Sequence, residues 1–359
     1  MNKLPGINLI FHSIRQQGGM DRHVLDLING FSSRKIPLRI IARTVDWNEK
    51  PVADIEYIVL PDRTPFSRFN NDRFEKIALD HINPDWPVIG ISRVTGKVDM
   101  AISGGTHKTH LKEKGKKVPG FFDRRVIANE EKLYRNARVI IAHSKQVQNE
   151  IIEGYGVDPA KVMALYPSVD VSAFNLNARR NRAEIRKRMG ISPDQFVLLF
   201  PSNDHERKGG DLILKAIEGL DKRLVLAVAG KNPLKGAQAA QVKNLGFCKD
   251  MPAMYAAADA AILASVYEPF GLVGPESILC GTPVLLADTI GAVEVLSEPG
   301  CFSFERTPES LRSLLMTMLE QHQEKKLVLT EPERFIHYPY SFDAYLDTLV
   351  RLLESGHGQ

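Results

Sequence analysis

Short apolar runs alternate with amphipathic stretches along all 359 residues, and no other feature restricts the fold as much. Strands separated by helical patterns lie parallel, because a parallel pair needs a crossover, and the crossover helices then cover both faces of the sheet. In the first half the runs are Ile7–Phe11, Leu38–Ala42, Ile55–Val59, Met100–Ser103 and Val139–His143. In the second they are Phe196–Phe200, Leu224–Ala229, Ala260–Ala264 and Pro283–Leu286. A helix beginning near Met20 places Val24, Leu27, Ile28 and Phe31 on one apolar face. The pattern predicts two similar α/β halves, consistent with a length beyond which one hydrophobic core stops growing. We place the hinge near residues 167–175, giving domains 1–170 and 171–339. A final helix with Tyr345, Leu346, Leu349, Leu352 and Leu353 at helical spacing is expected to carry 340–359 back onto the first domain.

Composition removes several classes of function. The longest apolar runs, such as Val139–Ala142 and Phe196–Phe200, fall far short of the ~20 residues that cross a bilayer. The first residues lack a signal-peptide apolar region, so the chain is expected in the cytoplasm. Cys248, Cys280 and Cys301 are widely spaced in apolar or turn contexts, which argues for structural thiols and against a disulfide framework or a metal site. Charge is uneven: residues 1–170 hold 26 Lys/Arg and 20 Asp/Glu, whereas 171–359 hold 21 and 23. The densest basic cluster is Lys108, Lys112, Lys114, Lys116, Lys117, Arg124 and Arg125. Such a cluster suits an anionic membrane surface or a phosphorylated acceptor, with a solvated loop as the alternative. It carries few interleaved aromatics and no recognisable binding module, which excludes nucleic acid.

Chemistry concentrates at the ends of strands. Glu268-Pro-Phe-Gly-Leu-Val-Gly-Pro-Glu276 sets two carboxylates eight positions apart around a turn from a buried strand into a helix. Carboxylates suit sugar hydroxyls, and backbone amides at such a turn suit phosphate; a sugar nucleotide offers both. After the strand Phe196–Phe200 come Arg207, Lys208 and Gly209, a basic pair able to grip a diphosphate. The loop holding Gln16, Gln17, Gly18 and Gly19 lets backbone approach a charged ligand, or is a plain tight turn. It lacks the third glycine of a dinucleotide fingerprint, which counts against nicotinamide cofactors. His107, after a strand and two glycines, is a candidate to bond a sugar hydroxyl or to be a surface histidine. The stretch Asp288 to Glu294 reads as another backbone cradle or as a simple turn.

With these residues in place the chain resembles retaining glycosyltransferases of the GT-B fold, glycosyltransferase family 4. The resemblance rests on Arg207-Lys208-Gly209, Leu245-Gly-Phe247, Met254 to Asp259, Glu268 to Glu276 and Gly281-Thr-Pro-Val284, in family order. The arginine directly before the lysine is most similar to the lipopolysaccharide core glucosyltransferases; many relatives carry it five positions earlier, where this chain has Asn203. Gly291-Ala292 stands where two glycines are usual. The resemblance implies two Rossmann-like domains facing each other across a cleft, the first binding the acceptor and the second the sugar nucleotide. It implies that Arg207 and Lys208 hold the diphosphate, and that Glu268 contacts the transferred sugar with the amides of Phe270, Gly271 and Leu272. Glu276 would contact the ribose, Gly18 and Gly19 would face the donor, and His107 would assist catalysis. The implied reaction is metal-independent hexosyl transfer without a cofactor, from a donor, favoured as a UDP-sugar, to a cell-envelope glycan such as lipopolysaccharide core. No carboxylate is set up as a nucleophile, so same-face attack is favoured. The alternatives are a non-catalytic sugar-nucleotide-binding partner protein and a nucleotide-sugar epimerase. The enzyme is expected to sit peripherally on the inner face of the cytoplasmic membrane.

Overall fold

A computed structural model describes residues 4–15, 18–47, 54–236, 241–324 and 327–356. The chain begins with β1 (Ile7–Ile10), β2 (Ser13–Arg15), α1 (Gly18–Ser33), β3 (Leu38–Ala42), β4 (Thr44–Asp46), β5 (Ile55–Val59) and α2 (Ser67–Ile77). It continues through β6 (Val88–Gly90), β7 (Val98–Ser103), α3 (His107–Glu113), α4 (Phe121–Asn136), β8 (Ala137–Ala142), α5 (Lys145–Tyr155) and β9 (Val162–Ala164). Next come α6 (Arg182–Arg188), β10 (Phe196–Pro201), α7 (Gly210–Ile217), β11 (Leu224–Ala229), β12 (Val242–Gly246), α8 (Met251–Ala257) and β13 (Ala260–Leu263). The last elements are α9 (Val273–Leu279), β14 (Val284–Ala287), β15 (Cys301–Phe304), α10 (Pro308–Gln323) and α11 (Phe342–Glu354). They form two compact units, Met1–Pro167 with Phe342–Gln359, and Ser168–Ser341.

Each unit is built on one parallel sheet, as the alternation of runs predicts. The first has the order β5-β3-β1-β6-β7-β8-β9, with β2 and β4 as a separate parallel pair. The second has the order β12-β11-β10-β13-β14-β15. In both, the first long strand lies inside the sheet and the chain winds outward on either side of it. The order reverses between β1 and β6 in one unit and between β10 and β13 in the other. At such a reversal the helices diverge to opposite faces, leaving a crevice at the carboxyl ends of the strands.

Burial follows the sheet. All residues of β10, β11, β13 and β14 are buried, which is why these strands read as unbroken apolar runs. Asp259, just before β13, is clamped by Arg182 at 2.6 Å and Arg186 at 2.9 Å from α6, by His322 of α10 at 3.4 Å, and by the Val197 amide at 2.8 Å. Burial would raise the acid, but His322 and the two guanidinium groups hold it down to about 2.

In the first unit α11 closes the core. Tyr345, Leu346, Leu349 and Leu353 are buried in one cluster with Val24, Leu27, Ile28 and Phe31 of α1. Gly30 lets the helices approach: a Cβ there would stand 2.4 Å from the Phe342 ring. Beneath α11 lie two buried histidines, His23 of α1 and His143, with ring centres 5.0 Å apart. Burial pulls His23 down to about 4 and, with His23 as neighbour, pulls His143 well below the usual histidine range. Among the described residues, no helix is long and apolar enough to cross a membrane.

Candidate functional site

In the second unit the loops after β10 and β13 flank the point where strand order reverses. The β10 loop bends back at Gly209, whose φ of +81° is the left-handed conformation that glycine adopts without strain. A Cβ on Gly209 would stand 2.1 Å from the Ala264 carbonyl oxygen, so the backbone beside Lys208 lies directly on the end of β13. The Val266 amide donates to the Arg207 carbonyl at 3.2 Å and fastens the two loops together. This seam brings the charged side chains into contact. The Arg207 guanidinium stands 3.0 Å from Glu268 Oε2 and 3.5 Å from Asp204. Lys208 Nζ donates to the Pro201 carbonyl at 3.1 Å.

Lys208 is the electrostatic centre of the group. Burial pulls its ammonium below the ordinary lysine value and Arg207 pulls the same way, while the carboxylates of Glu268 and Glu276 oppose them. A desolvated cation beside a second cation gains from an incoming anion. Arg207, Lys208, Glu268 and Glu276 are therefore brought together within one unit.

The Glu268 turn is braced from behind. Gly271 has φ +94°, and a Cβ there would stand 2.8 Å from Ile290 Cγ2. The Gly291 amide donates to the Glu268 carbonyl at 3.0 Å, and the Ala292 amide to that of Phe270 at 2.7 Å. Of the two readings of the 288–294 stretch, the structure supports the bracing turn, because these amides are already spent on the neighbouring loop. Phe270 is buried edge-on against Tyr338 at 5.5 Å. Leu272 supplies no side-chain cap to α9, which leaves the start of that helix to backbone groups and whatever docks there.

Two contacts escape sequence reasoning. Tyr255 of α8, buried, donates its hydroxyl to Glu276 Oε2 at 3.0 Å; burial, and then Glu276, raise that hydroxyl well above the usual tyrosine range. Arg306 Nε donates to the Ala264 carbonyl at 3.0 Å. It follows β15, a strand absent from the apolar runs, so nothing in the sequence placed it at this strand end.

The remaining candidates lie in the first unit. Gly18 and Gly19 are the first two residues of α1 and not part of an open loop, because the helix begins before Met20; Gln16 and Gln17 lie outside the described residues. His107 opens α3, with its amide 2.9 Å from Glu130 Oε2 and its ring Nε2 3.1 Å from Asp123 Oδ1. Thr106 caps that helix through the Thr109 amide.

The family model described as Glycosyl transferases group 1 matches residues 181–334, and the one described as Glycosyltransferase Family 4 matches residues 17–173. A probable transglycosylase of Burkholderia thailandensis is 37% identical over 296 residues, covering 81% of this chain and 80% of its own. The chain belongs to the glycosyltransferases. Among solved structures, the glycosyltransferase is similar to WaaG, involved in lipopolysaccharide biosynthesis, at TM-score 0.75 and 18% identity over 98% of both chains. It is also similar to Anabaena HepE in complex with UDP-glucose, at TM-score 0.71 and 18% identity over 98% and 99% of the two chains. At these identities the likeness is one of fold, and it makes this glycosyltransferase a GT-B protein.

Proposed function

We propose that this glycosyltransferase moves a hexose, with retention of configuration, from a nucleoside diphosphate donor to a cell-envelope glycan such as lipopolysaccharide core. In this reading the second unit takes the donor and the first takes the acceptor. The observation that carries it is the seam between the β10 and β13 loops, which places two cations and two carboxylates at one strand-order reversal. Arg207 and Lys208 neutralise the departing diphosphate without requiring a metal ion, and no cofactor takes part. Glu268, with the amides of Phe270, Gly271 and Leu272, orients the sugar, while Glu276, positioned by Tyr255, addresses the ribose. The bond between sugar carbon and phosphate oxygen breaks as charge builds on the ring. The acceptor oxygen attacks from the same face, and its proton passes to the leaving phosphate. Cations already in place stabilise that leaving charge without reorganisation.

A UDP-sugar is the favoured donor, in keeping with the HepE complex with UDP-glucose. Gly18, Gly19 and His107 serve from the first unit, the glycines by close backbone approach and His107 through a ring already oriented by Asp123. Exposed Val118 and Phe121 follow the basic cluster of Lys112, Lys114, Lys116 and Lys117 in the chain, and exposed Phe66 and Phe69 join Phe121 through edge-on ring contacts by way of Phe122. Apolar and cationic groups mixed in this way support peripheral contact with an anionic leaflet, on the cytoplasmic side where nucleotide sugars are supplied.

The test is UDP release from UDP-glucose in the presence of extracted lipopolysaccharide core. Arg207→Ala and Glu268→Ala should each lower turnover more than tenfold, since a charge-assisted hydrogen bond contributes about 1.5–3 kcal/mol. Wild-type rates in both variants would remove the assigned roles.

A further inference from the structure

The first unit holds an open pocket of about 270 Å³ at the carboxyl ends of its strands. Arg93, three residues beyond β6, and His107, four beyond β7, line it beside the reversal between β1 and β6, where open α/β sheets receive ligands. Its lining is charged but not balanced. Five Lys/Arg side chains face three carboxylates, and those carboxylates are already engaged. Asp123 pairs with Lys116 and His107, Asp72 with Lys76 and Arg125, and Glu75 with Arg93. Arg68 and Lys114 are both exposed at this pocket and have no carboxylate partner among the described residues. Arg68 lies over the Phe122 ring at 5.5 Å, which holds the guanidinium at the wall without neutralising it. Phe122, Val126 and Leu111 add apolar surface.

We infer that this pocket receives an anionic group, a phosphate monoester on a sugar, carried by the acceptor glycan. The inference rests on the reading that the first unit takes the acceptor, and it adds the chemical class that unit selects. The volume lies just below the ~300 Å³ lower end of small-molecule sites, so the pocket holds about one substituted sugar and not a longer glycan. Arg68 and Lys114 supply the missing counter-charge, while the paired groups fix the walls against which the sugar ring lies. Phosphate is preferred to an uncharged hydroxyl because only an anion relieves the surplus positive charge.

The intact chain is titrated calorimetrically at low salt with glucose 6-phosphate and with glucose, as wild type and as the double variant Arg68→Ala/Lys114→Ala. Neither side chain has a carboxylate partner, so the variant keeps the fold; its thermal stabilisation by UDP reads the donor site separately. The wild type should bind glucose 6-phosphate at least tenfold more tightly than glucose. The double variant should lose that preference, and UDP stabilisation should persist. Equal binding of glucose 6-phosphate by both proteins, or its displacement by UDP, overturns the inference. A parallel arm uses vesicles of phosphatidylglycerol and of phosphatidylcholine. A charge preference shown only towards vesicles, with none for glucose 6-phosphate, assigns the cations to lipid and also overturns it. Absence of UDP stabilisation in the wild type would count against the donor reading while leaving the glucose 6-phosphate measurement intact.

Discussion

Replacing Gly209 by alanine tests the loop seam most directly. The new methyl would stand 2.1 Å from the Ala264 carbonyl oxygen and 2.8 Å from both its carbonyl carbon and its Cβ, in a backbone with φ +81°. Two costs follow. An alanine in the left-handed region costs about 1–2 kcal/mol, and forcing a methyl against fixed backbone costs about 1–3 kcal/mol more. Taking ~3 kcal/mol as the sum, and about 2–4 °C per kcal/mol for a unit of this size, the second unit should melt about 6–12 °C lower. Gly219 provides the control: its φ is +68°, and a Cβ there meets nothing within 4 Å. Gly219→Ala should therefore show the conformational cost alone, about 1–2 kcal/mol. Scanning calorimetry of the two variants, with and without UDP, separates the terms. UDP should stabilise Gly219→Ala normally and Gly209→Ala poorly, because Lys208 and the Glu268 turn share the displaced seam. Equal melting temperatures for the two variants would refute the claim that Gly209 is required by contact with β13.

Lys208→Met removes a desolvated ammonium and keeps its aliphatic length, so stability should hold or rise while UDP affinity drops more than tenfold; an unchanged dissociation constant by calorimetry would contradict the diphosphate role. His23 is neutral when folded, with its value lowered to about 4, so its contribution is complete above about pH 6.5 and is lost as pH falls towards the folded value. From that interval, His23 alone should weaken urea unfolding of the first unit by about 2 kcal/mol between pH 7 and pH 5, with buried His143 adding loss of the same sign, and a flat profile would deny that this site is dry. Asp259→Asn strips the charge opposing the buried Arg186 and should cost about 3–5 kcal/mol in urea unfolding at pH 7. Loss of less than 1 kcal/mol would show that the cluster is solvated.

The central strands were legible because burial on both faces leaves an unbroken apolar run, as in Phe196–Pro201, where every residue is buried. Of the edge strands only β5 was read, over Ile55–Val59; β12, β15 and the three-residue strands were not. Residues of β12 are only half-buried or exposed and include Lys243 and Asn244, while β6 and β9 are too short to establish a period. At the site, Arg207, Lys208 and Glu268 could be picked out because each follows a readable strand and charge at a strand's carboxyl end has few structural uses. Tyr255 could not: its bond to Glu276 joins two helices 21 positions apart, and within Met254 to Asp259 it reads as one more core aromatic. The glycine pair at 18–19 misled in another way, since two glycines suggest a loop, whereas here they begin α1.

The assignment of α11 to the first unit has a consequence for biosynthesis. The second unit is continuous from Ser168 to Ser341, but the first is finished only when Tyr345, Leu346, Leu349 and Leu353 cover α1. As the polypeptide leaves the ribosome, the half made earlier must wait with an open apolar face until α11 emerges, while the later half can already be complete. A fragment ending at Pro167 would reproduce that waiting state permanently.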